Sequence, residues 1–179
     1  MSLMPKSILA DILLTEIILS HRHTSRSYVP LGHYLLLMSA KQRAHHVEPI
    51  TVRWGDMDSM GHVNNATYFT YCESARMSYF AAVRMREHSE AEQHGPALAA
   101  ASLNFRAQVR YPAELEVATR VTEIGRSSFK MEYDLLYRDT DDRVADGTGV
   151  IVWVDYGTGK SIPLPEALKE EIRRFEGMA

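Results

Sequence analysis

The stretch Val52-Arg53-Trp54-Gly55-Asp56-Met57-Asp58-Ser59-Met60-Gly61-His62-Val63-Asn64-Asn65-Ala66-Thr67-Tyr68 decides how this chain is read. Its centre holds two glycines and a cluster of Asp, Asn and Ser, which is the chemistry of a loop. Upstream, Ile50 to Trp54 has apolar residues at 50, 52 and 54 and is expected to form a short strand. Downstream, Asn64 or Asn65 is a good N-cap, because an amide oxygen accepts from an orphan N–H of the first helical turn. The helix that follows is expected over Ala66 to Arg86, about 30 Å long at 1.5 Å per residue. Tyr68, Phe69, Tyr71, Cys72, Ala75, Tyr79, Phe80, Ala82 and Val83 make it apolar on most sides, so it is expected to be buried.

Beyond His88 to Pro96, a polar connection, the chain reads as strand after strand. These cover Ala97 to Val109, Glu114 to Ile124, Ser128 to Arg138 and Arg143 to Asp155, with turns at Tyr111-Pro112 and Asp139 to Asp142. In the third of them Phe129, Met131, Tyr133, Leu135 and Tyr137 alternate with Ser128, Lys130, Glu132 and Asp134. Pro165 opens a short, charged terminal helix that runs to Phe175. One long buried helix with about five antiparallel strands is an α+β arrangement, the sheet curling around the helix. Val150 to Val154 is apolar on both faces, which would leave Ile151 and Trp153 wet unless another copy covers them. A homodimer or homotetramer is therefore expected.

The chain has 179 residues, 45% hydrophobic and 24% charged, the composition of an ordinary globular domain large enough to bury its own core. A net charge of −3 excludes nucleic-acid binding through bulk charge. The single cysteine, Cys72, excludes an intramolecular disulfide and a cysteine-based zinc site, and suits a reducing, cytoplasmic setting. Residues 1–37 hold three basic and two acidic groups, against 17 and 21 in the remainder, so the body carries −4. Within that first segment Leu9, Ile12, Leu13 and Ile17 keep helical spacing, while Asp11 and Glu16 interrupt the run too often for a signal peptide or a membrane span. Residues 1–48 are expected to be a dispensable extension, with Met38 a plausible start of a self-sufficient unit. Residues 49–175 form the domain and 176–179 a tail.

Asp56, Asp58, His62, Asn64 and Asn65 sit within ten residues, just before the start of the buried helix. A helix N-terminus carries about half a positive charge and several unpaired N–H donors. It suits the negative charge that grows on a carbonyl oxygen under attack. A carboxylate in the same loop can activate water or attack directly, which together make a minimal metal-free hydrolase.

The run from Val52 to Tyr68, continued through Glu73-Ser74-Ala75-Arg76, resembles the signature of the 4-hydroxybenzoyl-CoA thioesterase-like branch of the hotdog-fold acyl-CoA thioesterases. The Tyr111-Pro112 turn and Glu123 to Phe129 fit the same layout, so the resemblance spans Pro49 to Phe175. It implies a long helix wrapped by an antiparallel sheet, paired through the sheet into dimers and often tetramers. It implies that Asp58 is the catalytic carboxylate, as general base or nucleophile on a thioester carbonyl, with a backbone N–H near Asn65 as the oxyanion donor. Asp56 and Asn64 then support the loop. For His62 two roles stay open, orienting substrate or packing and capping. Arg126 and Ser127 fall where relatives contact coenzyme A, with Arg106, Arg110 and Lys130 as helpers, and the site lies between subunits.

Glu73 is read as an ion-pair partner of Arg76 at i+3, and Cys72 as a packing residue on an apolar helix. The histidines on the tail lack an acidic partner set, so neither metal nor cofactor is expected. The expected activity is hydrolysis of an acyl-CoA to a free acid and coenzyme A. A hotdog hydratase or dehydratase, using His62 and Glu73, and a non-catalytic acyl-CoA or acyl-carrier binding module are the alternatives. Acyl length, and coenzyme A against acyl carrier protein, are not written in the sequence, because a methylene in such a pocket is worth only about 1–3 kcal/mol.

Overall fold

The computed structural model describes residues 40–89 and 93–178. The helix expected around residues 9–17 and most of the expected extension lie outside the described residues. A single helical turn, Ala40–Arg43, precedes β1 (His46–Thr51). After a 3₁₀ turn at Trp54–Asp56 come α1 (Asn65–Ala82), a second 3₁₀ turn at Met85–His88, and β2 (His94–Phe105). β3 (Glu114–Ile124), β4 (Ser128–Tyr137), β5 (Arg143–Asp155), the two-residue β6 (Lys160–Ser161) and α2 (Glu166–Glu176) complete the order. This is the expected α+β hotdog architecture.

The sheet is antiparallel in the order β1-β3-β4-β5-β2, with β6 extending the β4 side of β5. β2 is thus an edge strand although it comes early in the chain, and a bulge between Leu98 and Ala100 interrupts its pairing with β5. At the other edge β1 is half as long and carries Pro49, whose missing N–H suits an outer position. Period-two alternation sends Leu115, Val117, Val121, Phe129, Met131 and Leu135 to the concave face, where they meet Tyr71, Cys72, Ala75, Tyr79 and Phe80 of α1. Gly147 allows β5 to lie close to β2, since a Cβ there would collide with the Ser102 carbonyl oxygen. Leu168 and Ile172 of α2 close one end of the core. Glu176 joins them, accepting from the Tyr79 hydroxyl at 2.6 Å and the Val121 N–H at 2.8 Å.

Several sequence expectations change. Trp54 leaves the first strand and is 74% exposed, because the Asp56 carboxylate caps the Arg53 N–H and folds the chain into a 3₁₀ turn. α1 stops at Ala82 rather than Arg86, since Arg84 takes the left-handed conformation (φ 47°) and both Val83 and Met85 are buried. Glu171 of α2 holds the Arg84 guanidinium at 2.9 Å. The strand expected over Ala97 to Val109 is shifted to His94–Phe105, and the Val109 carbonyl instead takes the Val63 N–H at 2.9 Å.

The last strand faces the other way from the expectation. Ile151 and Trp153 are core residues, while Val150, Val152 and Val154 are the half-buried outer side chains. Phe69 and Ala82 lie on the open side of α1. β1 begins at His46, so a boundary at residue 49 falls inside a strand, and Glu176 belongs to α2 rather than to a tail.

Candidate active site

The loop between β1 and α1 is a small closed structure. Met57 and Val63 form an antiparallel bridge, the Asp58 N–H donates to the His62 carbonyl at 2.8 Å, and Gly61 donates to the Asp58 carbonyl at 3.0 Å. The turn needs φ +77° at Gly61, a left-handed position that a side chain would strain. Val63 ties the loop to Val109, and the Asn64 N–H donates to the Asp56 carbonyl at 2.9 Å.

Asp56 is the buried anchor. Its carboxylate accepts from the Arg53 N–H at 2.8 Å, from the Arg53 guanidinium at 2.8 Å and from the Tyr71 hydroxyl at 2.8 Å. Burial pushes its pKa up, but these donors outweigh burial and hold it below the usual carboxylate value. Burial, reinforced by Asp56, drives the Tyr71 hydroxyl well above the ordinary tyrosine range, so that it stays a donor. Arg53 and Tyr71 escape sequence reading as site residues. Arg53 offered only its spacing of three from Asp56, and Tyr71 looked like another core aromatic.

Asp58 is half-buried on this frame. One carboxylate oxygen accepts from the Met60 N–H at 2.8 Å, while the other has no partner among the described residues. Asn64 is the N-cap of α1, its side-chain oxygen accepting from Ala66 at 2.9 Å, and its carbonyl takes the Thr67 N–H. The Asn65 N–H, the first of the helix, has no partner among the described residues. The loop therefore presents a carboxylate oxygen and an unspent helix N-terminal donor from adjoining segments.

His62 Nε2 lies 2.8 Å from Arg110 Nη2. A guanidinium can only donate, so Nε2 accepts and the neutral ring carries its proton on Nδ1.

The other expected site residues lie elsewhere. Arg126 and Ser127 form the turn between β3 and β4, which is held by the Leu164 N–H on the Arg126 carbonyl and the Trp153 N–H on the Ser127 carbonyl. Phe129, just beyond it, packs on Phe80 near the C-terminal end of α1, whereas Asp58 stands at the N-terminal end. The structure does not bring Arg126 to Asp58 of the same chain. Arg106 pairs with Asp146 and Lys130 with Glu123.

A cleft of about 840 Å³ lies at the same far end of α1, lined by Met77, Phe80, Met85, Trp153 and Tyr156, with Arg84 at its rim. From Asn65 to Phe80 the helix advances about 22 Å, so the cleft and the loop of one chain do not form one pocket.

Residues 52–172 match the model of the thioesterase-like superfamily. An uncharacterised protein, YsmA of Bacillus subtilis (strain 168), is 30% identical over 123 residues, covering 69% of this chain and 82% of that protein. The chloroplastic acyl-acyl carrier protein thioesterase ATL3 of Arabidopsis thaliana is 21% identical over 152 residues, 84% of this chain and 79% of that one. Among solved structures, a thioesterase from Thermus thermophilus complexed with coenzyme A and Zn is 31% identical with a TM-score of 0.67, covering 77% of this chain and 98% of that chain. With its signature loop, central helix and wrapped sheet matched along two thirds of its length, this chain belongs to the thioesterase-like superfamily of hotdog-fold thioester hydrolases.

Proposed function

We propose that this chain hydrolyses acyl-CoA thioesters with Asp58 as the catalytic carboxylate and the Asn65 N–H as the oxyanion donor. One observation carries the reading: a carboxylate oxygen and a helix N-terminal N–H, both without partners among the described residues, stand on one loop pinned by Asp56. Asp58 either takes a proton from water as the water oxygen adds to the carbonyl carbon, or adds to that carbon itself. In both routes the negative charge on the carbonyl oxygen faces the Asn65 N–H and the positive end of α1. Collapse breaks the carbon–sulfur bond. By the water route the sulfur takes the proton held by Asp58 and leaves as coenzyme A thiol; by the direct route it leaves as thiolate and is protonated by the proton that the later water gives up. By the direct route, water then cleaves the acyl–Asp58 anhydride; both routes end in a free carboxylic acid.

The working unit in this reading is a dimer paired along the free edge of β2, alone or within a tetramer. Antiparallel pairing about the strand's middle sets the Phe105 end of one copy beside the His94 end of the other. That places the Asp58 loop of one copy near the Met77–Trp153 cleft of its neighbour, where an apolar acyl group fits. The Arg126 turn of that neighbour lies at the same end and is offered to the phosphates of coenzyme A. The bound coenzyme A of the Thermus relative supports this carrier, and the plant relatives keep acyl carrier protein as the competing one.

The test is thiol release from short-chain, long-chain and aromatic acyl-CoAs by wild type and Asp58→Asn. The wild type is expected to release thiol, and the variant to lose about 10²- to 10⁴-fold in kcat, the usual contribution of a positioned base, with an unchanged thermal melt. A variant that keeps full activity removes Asp58 from the chemistry. A wild type that binds but never cleaves leaves a binding module.

A further inference from the structure

Arg76, on the fourth turn of α1, is only 7% exposed although it carries a full positive charge. It lines a narrow cavity of about 30 Å³ beneath β2 together with Cys72, Leu98, Ala101 and Tyr133. No carboxylate is among the residues lining the cavity, and the guanidinium donates to the Tyr133 hydroxyl. Burial pushes the Cys72 thiol up to about 12 and holds the Tyr133 hydroxyl above the ordinary tyrosine value, so both stay neutral. Among the described residues its acidic partner is Glu73, one turn back, with Nη2 and Oε1 4.0 Å apart. That is beyond hydrogen-bond reach, and the Glu73 side chain is 62% exposed. A buried guanidinium so poorly matched is costly.

The surface beside it is also incomplete. Among the described residues β2 pairs with β5 along one edge, and the backbone groups of its other edge meet no strand over twelve residues. Phe69, Glu73 and Met77 form one stripe on α1 at spacings of four, and Phe69, Met77 and Leu98 of β2 are exposed large apolar residues. α1 runs opposite to β2: Tyr68 packs on Phe105 at 5.2 Å, and Phe80 shares the far cleft with Pro96. The middle of the free edge, rich in alanine from Ala97 to Ala101, therefore lies beside Cys72 to Arg76.

We propose that a second copy of this chain docks along β2 and that Glu73 of each copy supplies a close anion for Arg76 of the other. A two-fold axis through the middle of β2 makes the contact self-complementary, so one pair implies its mirror. The same docking covers Phe69, Met77 and Leu98. This pairing rests on the β2-edge dimer described above, and it assigns Glu73 and Arg76 to assembly rather than to acid–base chemistry.

Sedimentation velocity on the full chain tests it, with Glu73→Arg, Glu73→Gln and Arg76→Glu. Wild type is expected to be dimeric at micromolar concentration, and Glu73→Arg to weaken the dimer at least tenfold, more than Glu73→Gln. Salt should weaken the wild-type dimer and strengthen that of Glu73→Arg, since screening removes attraction in one and repulsion in the other. Mixing Glu73→Arg with Arg76→Glu should yield a heterodimer tighter than either homodimer, because both cross-pairs become attractive. A pair within one chain cannot give that result. If Arg76→Glu fails to fold by circular dichroism, the salt comparison on the two exposed Glu73 variants decides the matter. A dimeric wild type indifferent to the charge at 73 overturns the ion pair and leaves the dimer standing. A monomeric wild type overturns both.

Discussion

At the scale of single residues, buried polar groups carry the most consequence. Asp56 holds the loop between β1 and α1 through Arg53 and Tyr71, and Glu176 ties α2 to Tyr79 and the β3 backbone. His46 is the opposite case. Its Nε2 is buried without a partner among the described residues, and its ring sits edge-on to Tyr79 at 5.9 Å. Burial lowers its pKa below the ordinary 6.5 against the pull of Glu48 and Glu176. Folding then favours the neutral ring, so its contribution is complete above pH 6.5 and is lost as the pH falls through that value toward the folded pKa. His46→Phe keeps the ring contact and removes the titration. Its urea midpoint is expected to vary less between about pH 7.5 and 5.5 than that of wild type. An equal slope in both proteins removes His46 as the cause. None of this was legible in the sequence, where a histidine beginning a strand looks the same exposed or buried.

At the scale of elements, pattern and capping carried most of the information. Alternation located β3 and β4 to within a residue, because a one-residue error in a half-buried strand exchanges core and solvent faces, while flanking turn residues bounded β5. The Asn64-Asn65 pair marked the start of α1 to within a residue, and the structure makes Asn64 the cap, its amide oxygen on an orphan N–H. The end of α1 was not readable, since the left-handed turn at Arg84 is held by Glu171, 87 residues away. Nor could the sense of the last strand be read from Val150 to Val154, where both faces are apolar and parity carries no signal. α2 makes a sharp test of element-level packing. Ile172 is completely buried on its inner stripe, so Ile172→Ala is expected to cost about 2–5 kcal/mol in chemical denaturation. A cost under about 1 kcal/mol would mean that α2 is not part of the cooperative core.

At the scale of the whole molecule, the long free edge of β2 and the separation of the cleft from the loop belong together. If Asp58 serves a cleft on another copy, two defective variants can repair each other. Ala81 stands on the wall of the cleft, so Ala81→Trp fills it while Asp58→Asn removes the carboxylate, and each homodimer is expected to be inactive. After unfolding and refolding together, half the dimers carry one complete site, restoring about a quarter of wild-type activity by two-fold symmetry. Without restoration, loop and cleft do not cooperate across the pair.

The sequence by itself determined the architecture, the loop and its carboxylates, because periodicity, turn chemistry and capping are local and leave a local trace. Only the tertiary structure decided that Asp56 is the buried anchor and that Arg76 lies buried beneath the β2 edge with its carboxylate partner 4.0 Å away. It also decided that the cleft of about 840 Å³ opens at the far end of the helix from Asp58. Those properties depend on which distant side chains share a volume and which strand is left without a neighbour, and no spacing along the chain encodes either.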